Sequence, residues 1–318
     1  MSRIGLITNP NSGPKADART RRHLARAAEF HLIPMAVTHS EAEIGEALAS
    51  FARAGVEVLV IHGGDGTVDT VLTRLRTEPI FETEPVLAIL PGGTTNMTHG
   101  DVGIHRPAKQ ALSDIAAACF NGLPTFGVRA RRPIRVERPD ANRPFYGFFF
   151  ATAAIPRVIR ATRTRLHKRG LTGGTGEVLA LAWSLPRLLT GRVRRDPVLH
   201  PDHVRYVLDD GDWRDGQAVV FLATSLKRLV LGMRPAPPGK TMGVAALMWP
   251  YRGLARRLPG FLRARGDGAL GDDLGRTTTA RMRLDLADDY TVDGELFAPP
   301  ADGPITLTAA AEARFLVL

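Results

Sequence analysis

Cysteine is almost missing from this chain. One residue of the kind, Cys119, among 318 excludes an intramolecular disulfide framework and any multi-cysteine zinc site, and fits a reducing compartment. Long apolar runs are missing too. The most apolar stretch, Glu177 to Leu189 (EVLALAWSLPRLL), is shorter than the ~18 residues a membrane span needs and is interrupted by Pro186, so no transmembrane helix is expected. Met1 runs straight into an apolar strand-like segment with no basic leader or small-residue cleavage site, and cytoplasm is the expected location. Internal repeats and low-complexity tracts are absent. What remains is 44% hydrophobic, enough for real cores, and the length implies two globular units.

Acidic residues are scarce in one part only. Residues 1–127 carry 11 Lys/Arg against 13 Asp/Glu, whereas 128–318 carry 31 against 19, so the formal net charge of +10 belongs to the second part. Residues 157–195 hold ten Lys/Arg with Glu177 as the one acid, interleaved with Ile159, Leu166, Trp183 and several leucines. That mixture suits anionic phospholipid headgroups, at about 1 kcal/mol per well-placed cation, although a solvated basic face is the plainer alternative. No DNA- or RNA-binding motif accompanies the charge, and no nucleic-acid partner is expected.

Residues 1–127 alternate strand and helix signals in the order that builds a parallel, doubly wound α/β sheet. Strands are expected at Ile4–Thr8, Met35–Thr38, Val56–Ile61 and Val86–Leu90. The helix after Ser40 is the clearest: Ser40 and Glu43 form a capping box, Ile44, Ala47, Leu48 and Phe51 make one buried face, and Gly55 stops it. After a helix over Pro107–Phe120 the pattern changes to short β runs such as Ile134–Glu137, Gly147–Ala151, Ala218–Ala223, Arg281–Leu286 and Ile305–Thr308. Residues 128–318 therefore read as an antiparallel, β-sandwich-like domain, with helical insertions near Pro156–Arg169 and Glu177–Thr190.

Three glycine-rich turns follow three of the first strands, at the carboxyl ends where open α/β sheets place ligands. The first is Asn9-Pro-Asn-Ser12-Gly13, which alone is an ordinary turn. The second is Gly63-Gly64-Asp65-Gly66-Thr67, where glycines allow close backbone approach and a following helix adds positive partial charge suited to phosphate. Asp65 would repel a phosphate unless a metal or metal-bound water stood between them, which implies magnesium. The third is Leu90-Pro-Gly-Gly93-Thr94-Thr95-Asn96.

In this order and spacing the three turns resemble the nucleotide site of the diacylglycerol kinase catalytic domain, the family that includes sphingosine, ceramide and bacterial lipid kinases. The resemblance continues at Val292-Asp293-Gly294-Glu295, similar to the family's late DGE motif. It implies that the GGDGT loop holds ATP phosphates, that Asp65 organises Mg2+ through water, and that Glu295 takes the proton from a lipid hydroxyl. By the same resemblance Asn9, Ser12, Gly13, Thr38, Gly63, Gly64, Gly66, Thr67, Val68, Asp69, Gly93, Thr94, Asn96 and Asp293 line the nucleotide. It further implies an active site in the cleft between the domains and a terminal strand, Arg314–Leu318, that returns to the first domain.

Two positions depart from the family pattern. Asp69-Thr70 stand where Asn-Glu is usual after GGDGT, and Met97 stands where the third turn usually ends in aspartate. Asp101, one helical turn beyond Met97, is the candidate replacement, with a solvated surface aspartate as the alternative. His62 is expected as a strand-end residue rather than a base, and Cys119 as core packing. The resulting expectation is a lipid kinase that transfers the ATP γ-phosphate to a membrane lipid, diacylglycerol by default, peripheral at the inner face of the membrane and compatible with a homo-oligomer. A sphingoid-base or ceramide kinase, an NAD kinase-like enzyme and a non-catalytic lipid- or nucleotide-binding relative are the alternatives.

Overall fold

The computed structural model describes residues 3–13, 16–93, 95–120, 127–168, 188–189, 193–229, 241–252, 254–255, 270 and 273–317, with backbone only over 164–168. Two compact units divide the chain, one formed by Met1–Arg131 with Glu312–Leu318 and the other by Arg132–Ala311.

The first unit runs β1 (Ile4–Thr8), α1 (Ala18–Phe30), β2 (Met35–Val37), α2 (Glu41–Arg53), β3 (Val58–Gly63), α3 (Asp65–Thr77), β4 (Val86–Pro91), α4 (Met97–Val102), α5 (Ala108–Phe120) and β5 (Gly127–Arg131), and is completed by the last strand, β17 (Ala313–Val317). Its six-stranded sheet has the order β2-β1-β3-β4-β17-β5. The pairings β1–β2, β1–β3, β3–β4 and β4–β17 are parallel, and β17–β5 is antiparallel. Every residue of β1 and β3 is buried, as expected of central parallel strands covered on both faces. On one face Leu24, Ala27 and Ala28 of α1 and Leu112 and Ile115 of α5 pack over Leu6, Val60 and Leu90.

Local sequence sets the element ends. Ser40 Oγ accepts from Glu43 N–H at 3.3 Å while the Glu43 carboxylate accepts from His39 N–H at 2.9 Å, which fixes the start of α2. At its other end Gly55 takes φ +70° and Val56 N–H donates back to Phe51 O at 3.0 Å. With that amide committed to the cap, β3 begins at Val58 rather than at the expected Val56.

The second unit is antiparallel. It runs β6 (Ile134–Glu137), β7 (Phe145–Gly147), β8 (Phe149–Ala153), α6 (Ala154–Lys168), β9 (Asp202–Leu208), β10 (Arg214–Thr224), β11 (Met242–Trp249), β12 (Leu274–Thr279), β13 (Arg281–Leu286), β14 (Tyr290–Val292), β15 (Glu295–Phe297) and β16 (Ile305–Ala309). All eleven strands join one sheet, in the path β15-β14-β8-β10-β9-β13-β16-β6-β7 with β11 and β12 added beside β10. The two ends of that path carry Phe297 and Phe145, whose rings stack with centroids 5.1 Å apart, so the sheet curls until its ends meet. Phe150, Tyr206, Phe221, Met282 and Tyr290 fill the interior. Helix α6 lies against β8, β10 and β14. The expected helix over Glu177–Thr190, the LTGGTG segment and most of the basic stretch after residue 168 lie outside the described residues. Among the described residues no helix is long and apolar enough to cross a membrane.

The most distant segment in sequence is built into the first sheet: β17 sits between β4 and the edge strand β5, and Phe315 is fully buried. Phe315→Ala should destabilise this unit by about 3–5 kcal/mol, the cost of a large cavity at a well-packed site. Urea unfolding followed by a probe in this unit checks it. A loss under about 1 kcal/mol would mean that the strand contributes little.

Candidate active site

The strands β1, β3 and β4 are neighbours in the sheet, so the turns that leave their carboxyl ends meet. Asn9 ties the first turn to the second: its N–H donates to His62 O at 3.0 Å and its Nδ2 to Thr67 Oγ1 at 3.1 Å. Its Oδ1 accepts from Asn11 N–H, and its carbonyl accepts from both the N–H and the hydroxyl of Ser12, which winds the turn tightly through Gly13. The second and third turns touch through bare backbone. A Cβ on Gly93 would stand 2.4 Å from Gly64 Cα, and one on Gly92 would stand 2.8 Å from Gly63 N. Only glycine permits that approach, because neither side of the contact is a side chain that could move.

Asp65 is the first residue of α3, two positions earlier than the helix start expected from sequence, and is 8% exposed. Its Oδ2 accepts from Met97 N–H and its Oδ1 from Thr98 N–H, each at 3.0 Å. One carboxylate therefore sits in the first turn of α3 and holds the first amides of α4. Asn96, the residue before α4, adopts the left-handed conformation at φ +51° and spends its side chain inside the third turn, accepting from Gly93 N–H and donating to Gly93 O. Asp65 supplies the cap that Asn96 does not. Thr94 lies outside the described residues.

Several groups at this edge fit an anionic ligand. Gly66 is exposed in the first turn of α3 and a Cβ placed on it would meet nothing within 4 Å, while Gly64 caps the helix with no side-chain hydrogen bond. The start of a thirteen-residue helix is thus left open, with the N–H groups and dipole that favour phosphate. Thr38, just past β2, donates its N–H to Thr8 O, and its buried Oγ1 has no hydrogen-bond partner among the described residues. Thr67 and Val68 are buried together with Val71 and Leu72, and their N–H groups donate to Gly64 O at 3.0 and 3.2 Å, closing the first turn of the helix. Asp69 follows Asp65 one helical turn later and is half-buried. Thr70, at the position of the family's glutamate, donates its hydroxyl to Gly66 O within its own helix. Among the described residues no three His, Cys, Asp or Glu side chains cluster as a metal cage.

Asp101 does not replace the carboxylate missing at Met97, nor is it solvated. It is 4% exposed, and its two oxygens accept from Arg131 Nε at 2.7 Å and Nη2 at 3.0 Å, while Arg129 donates to its carbonyl. This bidentate pair pins α4 to β5. The partner lies thirty residues along the chain, beyond any local pattern. His62 is fully buried with Nδ1 2.9 Å from Thr8 Oγ1, a link between β3 and β1. Cys119 is half-buried against the α/β core, and burial pushes its thiol up, away from the reactive thiolate.

The late motif is a β-hairpin of the second unit. Asp293 and Gly294 form its two-residue turn with φ +46° and +92°, the pair of positive values that an Asp-Gly turn supplies between β14 and β15. Asp293, expected at the nucleotide, has its Oδ2 on Phe148 N–H at 2.6 Å and its own N–H on Phe149 O at 2.8 Å, so its side chain anchors the hairpin to β8. Glu295 opens β15, is exposed, and has no ion-pair or side-chain hydrogen-bond partner among the described residues. Arg163 of α6, which the sequence marked only as part of the basic stretch 157–195, donates to Gly294 O at 2.8 Å, and Arg160 pairs with Asp289 just before the hairpin.

Residues 3–123 match the diacylglycerol kinase catalytic domain. A protein of Streptococcus pneumoniae serotype 4, provisionally named a lipid kinase, is 22% identical over 161 residues, 50% of this chain and 49% of that protein. The chain thus spans about half the length of that relative. Among solved structures, a diacylglycerol kinase from Bacillus anthracis strain Sterne aligns with a TM-score of 0.60 and 16% identity, over 99% of this chain and 95% of that one. An NAD kinase from Archaeoglobus fulgidus in complex with ATP aligns with a TM-score of 0.50 and 12% identity, over 98% and 92%. At such identities these likenesses concern the fold.

Asp101→Ala should cost about 3–5 kcal/mol, because Arg131 is left charged and buried without its partner. The double variant Asp101→Ala/Arg131→Ala should be less destabilised than the two single losses added together. Denaturant titration of the four proteins reads the coupling. A loss within about 0.5 kcal/mol for Asp101→Ala would show a merely superficial pair.

Proposed function

We propose, from the match of residues 3–123 to the diacylglycerol kinase catalytic domain, that this protein is a lipid kinase that moves the γ-phosphate of ATP to a lipid hydroxyl. The observation that carries the reading is the start of α3 at the meeting of three turns, where Gly66 is exposed, together with the Thr38 hydroxyl just past β2, which is buried and unpartnered among the described residues. Backbone N–H groups of the turns and the α3 dipole would bind the phosphates, and Thr38 would receive a hydrogen bond or donate one to the nucleotide. Magnesium, when bound with ATP, would neutralise phosphate charge; Asp65 and Asp69 would hold it through water. Glu295 would accept the acceptor hydroxyl's proton as the new P–O bond forms and the bond to the β,γ-bridging oxygen breaks, releasing ADP. Its exposure, and the lack of an internal partner among the described residues, leave the carboxylate available for that task.

Diacylglycerol is the proposed acceptor, with a sphingoid base or ceramide as the next reading, since acceptor choice rests on pocket shape. The basic stretch 157–195 is proposed to meet anionic lipid at the inner face of the membrane. The test is a purified-protein assay with γ-labelled ATP and magnesium across diacylglycerol, ceramide, a sphingoid base and NAD. Label in a lipid supports the reading. Label in NAD favours the NAD kinase-like alternative, and ATP binding with no transfer to any acceptor favours a non-catalytic relative.

Two variants separate the roles. Glu295→Gln should leave stability within about 0.5 kcal/mol of the parent, as expected of an exposed site, and lower turnover by about 10²–10⁴-fold with ATP affinity retained. Asp65→Asn should lower turnover and stability together, because an amide keeps one acceptor for α4 but turns an NH2 toward the other N–H, at a cost of about 1–3 kcal/mol. Near-normal turnover in Glu295→Gln removes the base from the scheme.

A further inference from the structure

The far end of the first unit carries a feature that nucleotide binding does not use. Helix α1 closes through His31 N–H to Ala27 O at 3.1 Å, Leu32 N–H to Glu29 O at 3.1 Å and Ile33 N–H to Ala28 O at 2.8 Å, with Leu32 in the left-handed conformation at φ +53°. The same closure at the end of α2 uses Gly55. Glycine is the usual choice there because any Cβ crowds the neighbouring carbonyl. Leu32 accepts that crowding and gains no burial for it, since 85% of it is exposed. Phe30 beside it is 82% exposed. Two large apolar side chains thus stand in water, one of them on a backbone position that disfavours it.

The helix face leading to them is basic. Arg19, Arg22 and Arg26 are exposed at spacings of three and four residues, and Phe30 continues the line. Arg22 and Arg26 form no ion pair among the described residues. Of the two acids on this segment, Asp17 is committed to the helix start, where it accepts from Thr20 N–H, and Glu29 is the other.

We propose that the exposed face of α1 docks on an anionic lipid bilayer at its closing end, with Phe30 and Leu32 entering the headgroup and acyl boundary and Arg22 and Arg26 meeting lipid phosphates. Cations beside exposed Phe and Leu are the pairing that interfacial helices use. A second copy fits less well, because a twofold contact through this face would bring the two arginine rows together. The proposal uses no residue of the 157–195 stretch or of the glycine-rich turns, so it stands whether or not the lipid kinase reading does.

The test uses the full chain, sedimented with phosphatidylcholine vesicles that contain or lack phosphatidylglycerol. The parent should bind the phosphatidylglycerol vesicles, less tightly as salt rises. Phe30→Ser/Leu32→Gly should bind about tenfold or more weakly, in line with the loss of two inserted apolar side chains. The urea midpoint of Leu32→Gly should equal or exceed the parent's, because glycine suits the left-handed position, so weaker binding would not reflect unfolding. Arg22→Ser/Arg26→Ser should lose salt-sensitive binding, while nucleotide affinity stays at the parent value in all variants. Unchanged vesicle binding by Phe30→Ser/Leu32→Gly overturns the proposal. So does a parent that ignores anionic vesicles, or one whose self-association, rather than vesicle binding, is what these substitutions abolish.

Discussion

Both oxygens of Asp65 hold backbone amides of α4, and the candidate site is organised around that contact. The contact sets the second turn against the third at the distance where Gly63, Gly64, Gly92 and Gly93 touch as bare backbone. It also explains how a carboxylate sits stably beside a proposed phosphate site: the charge is already met by N–H groups and by the start of α3. The residue that would organise magnesium is thus also a structural brace, and changes to it affect the fold and the chemistry together.

Strand order does the rest of the assembly. Because β1, β3 and β4 are adjacent, their three turns cannot be far apart, and Asn9 closes the gap between the first two. The β17 strand, drawn from the very end of the chain, and the Asp101–Arg131 pair then secure β5 and α4 on the other flank. The segment carrying the third turn is therefore held by Asp65 on one side and by Arg131 on the other.

In the second unit a similar economy appears in the Asp-Gly turn before Glu295. Asp293 adopts the turn conformation and ties it to β8, and Arg163 reaches the Gly294 carbonyl from α6. Glu295 is consequently displayed on a braced hairpin while its own carboxylate stays uncommitted among the described residues. A proton acceptor needs both properties: a fixed position and open lone pairs.

The sequence by itself determined the features governed by short-range rules: the capping box of α2, the glycine stop at Gly55, the alternation that makes a parallel sheet in one unit and an antiparallel one in the other, and three glycine turns at strand ends. Each of these depends on residues within about one helical or strand period of one another. Tertiary structure decided what depends on distant partners. No local signal shows that Asp65 would cap α4, that Asp101 would be buried against Arg131, that Asp293 would spend its side chain on β8, or that the antiparallel sheet would curl until Phe145 met Phe297. The residue types at those positions were legible, but a carboxylate's role follows from which donors surround it, and those donors are assembled only when strands far apart in sequence become neighbours.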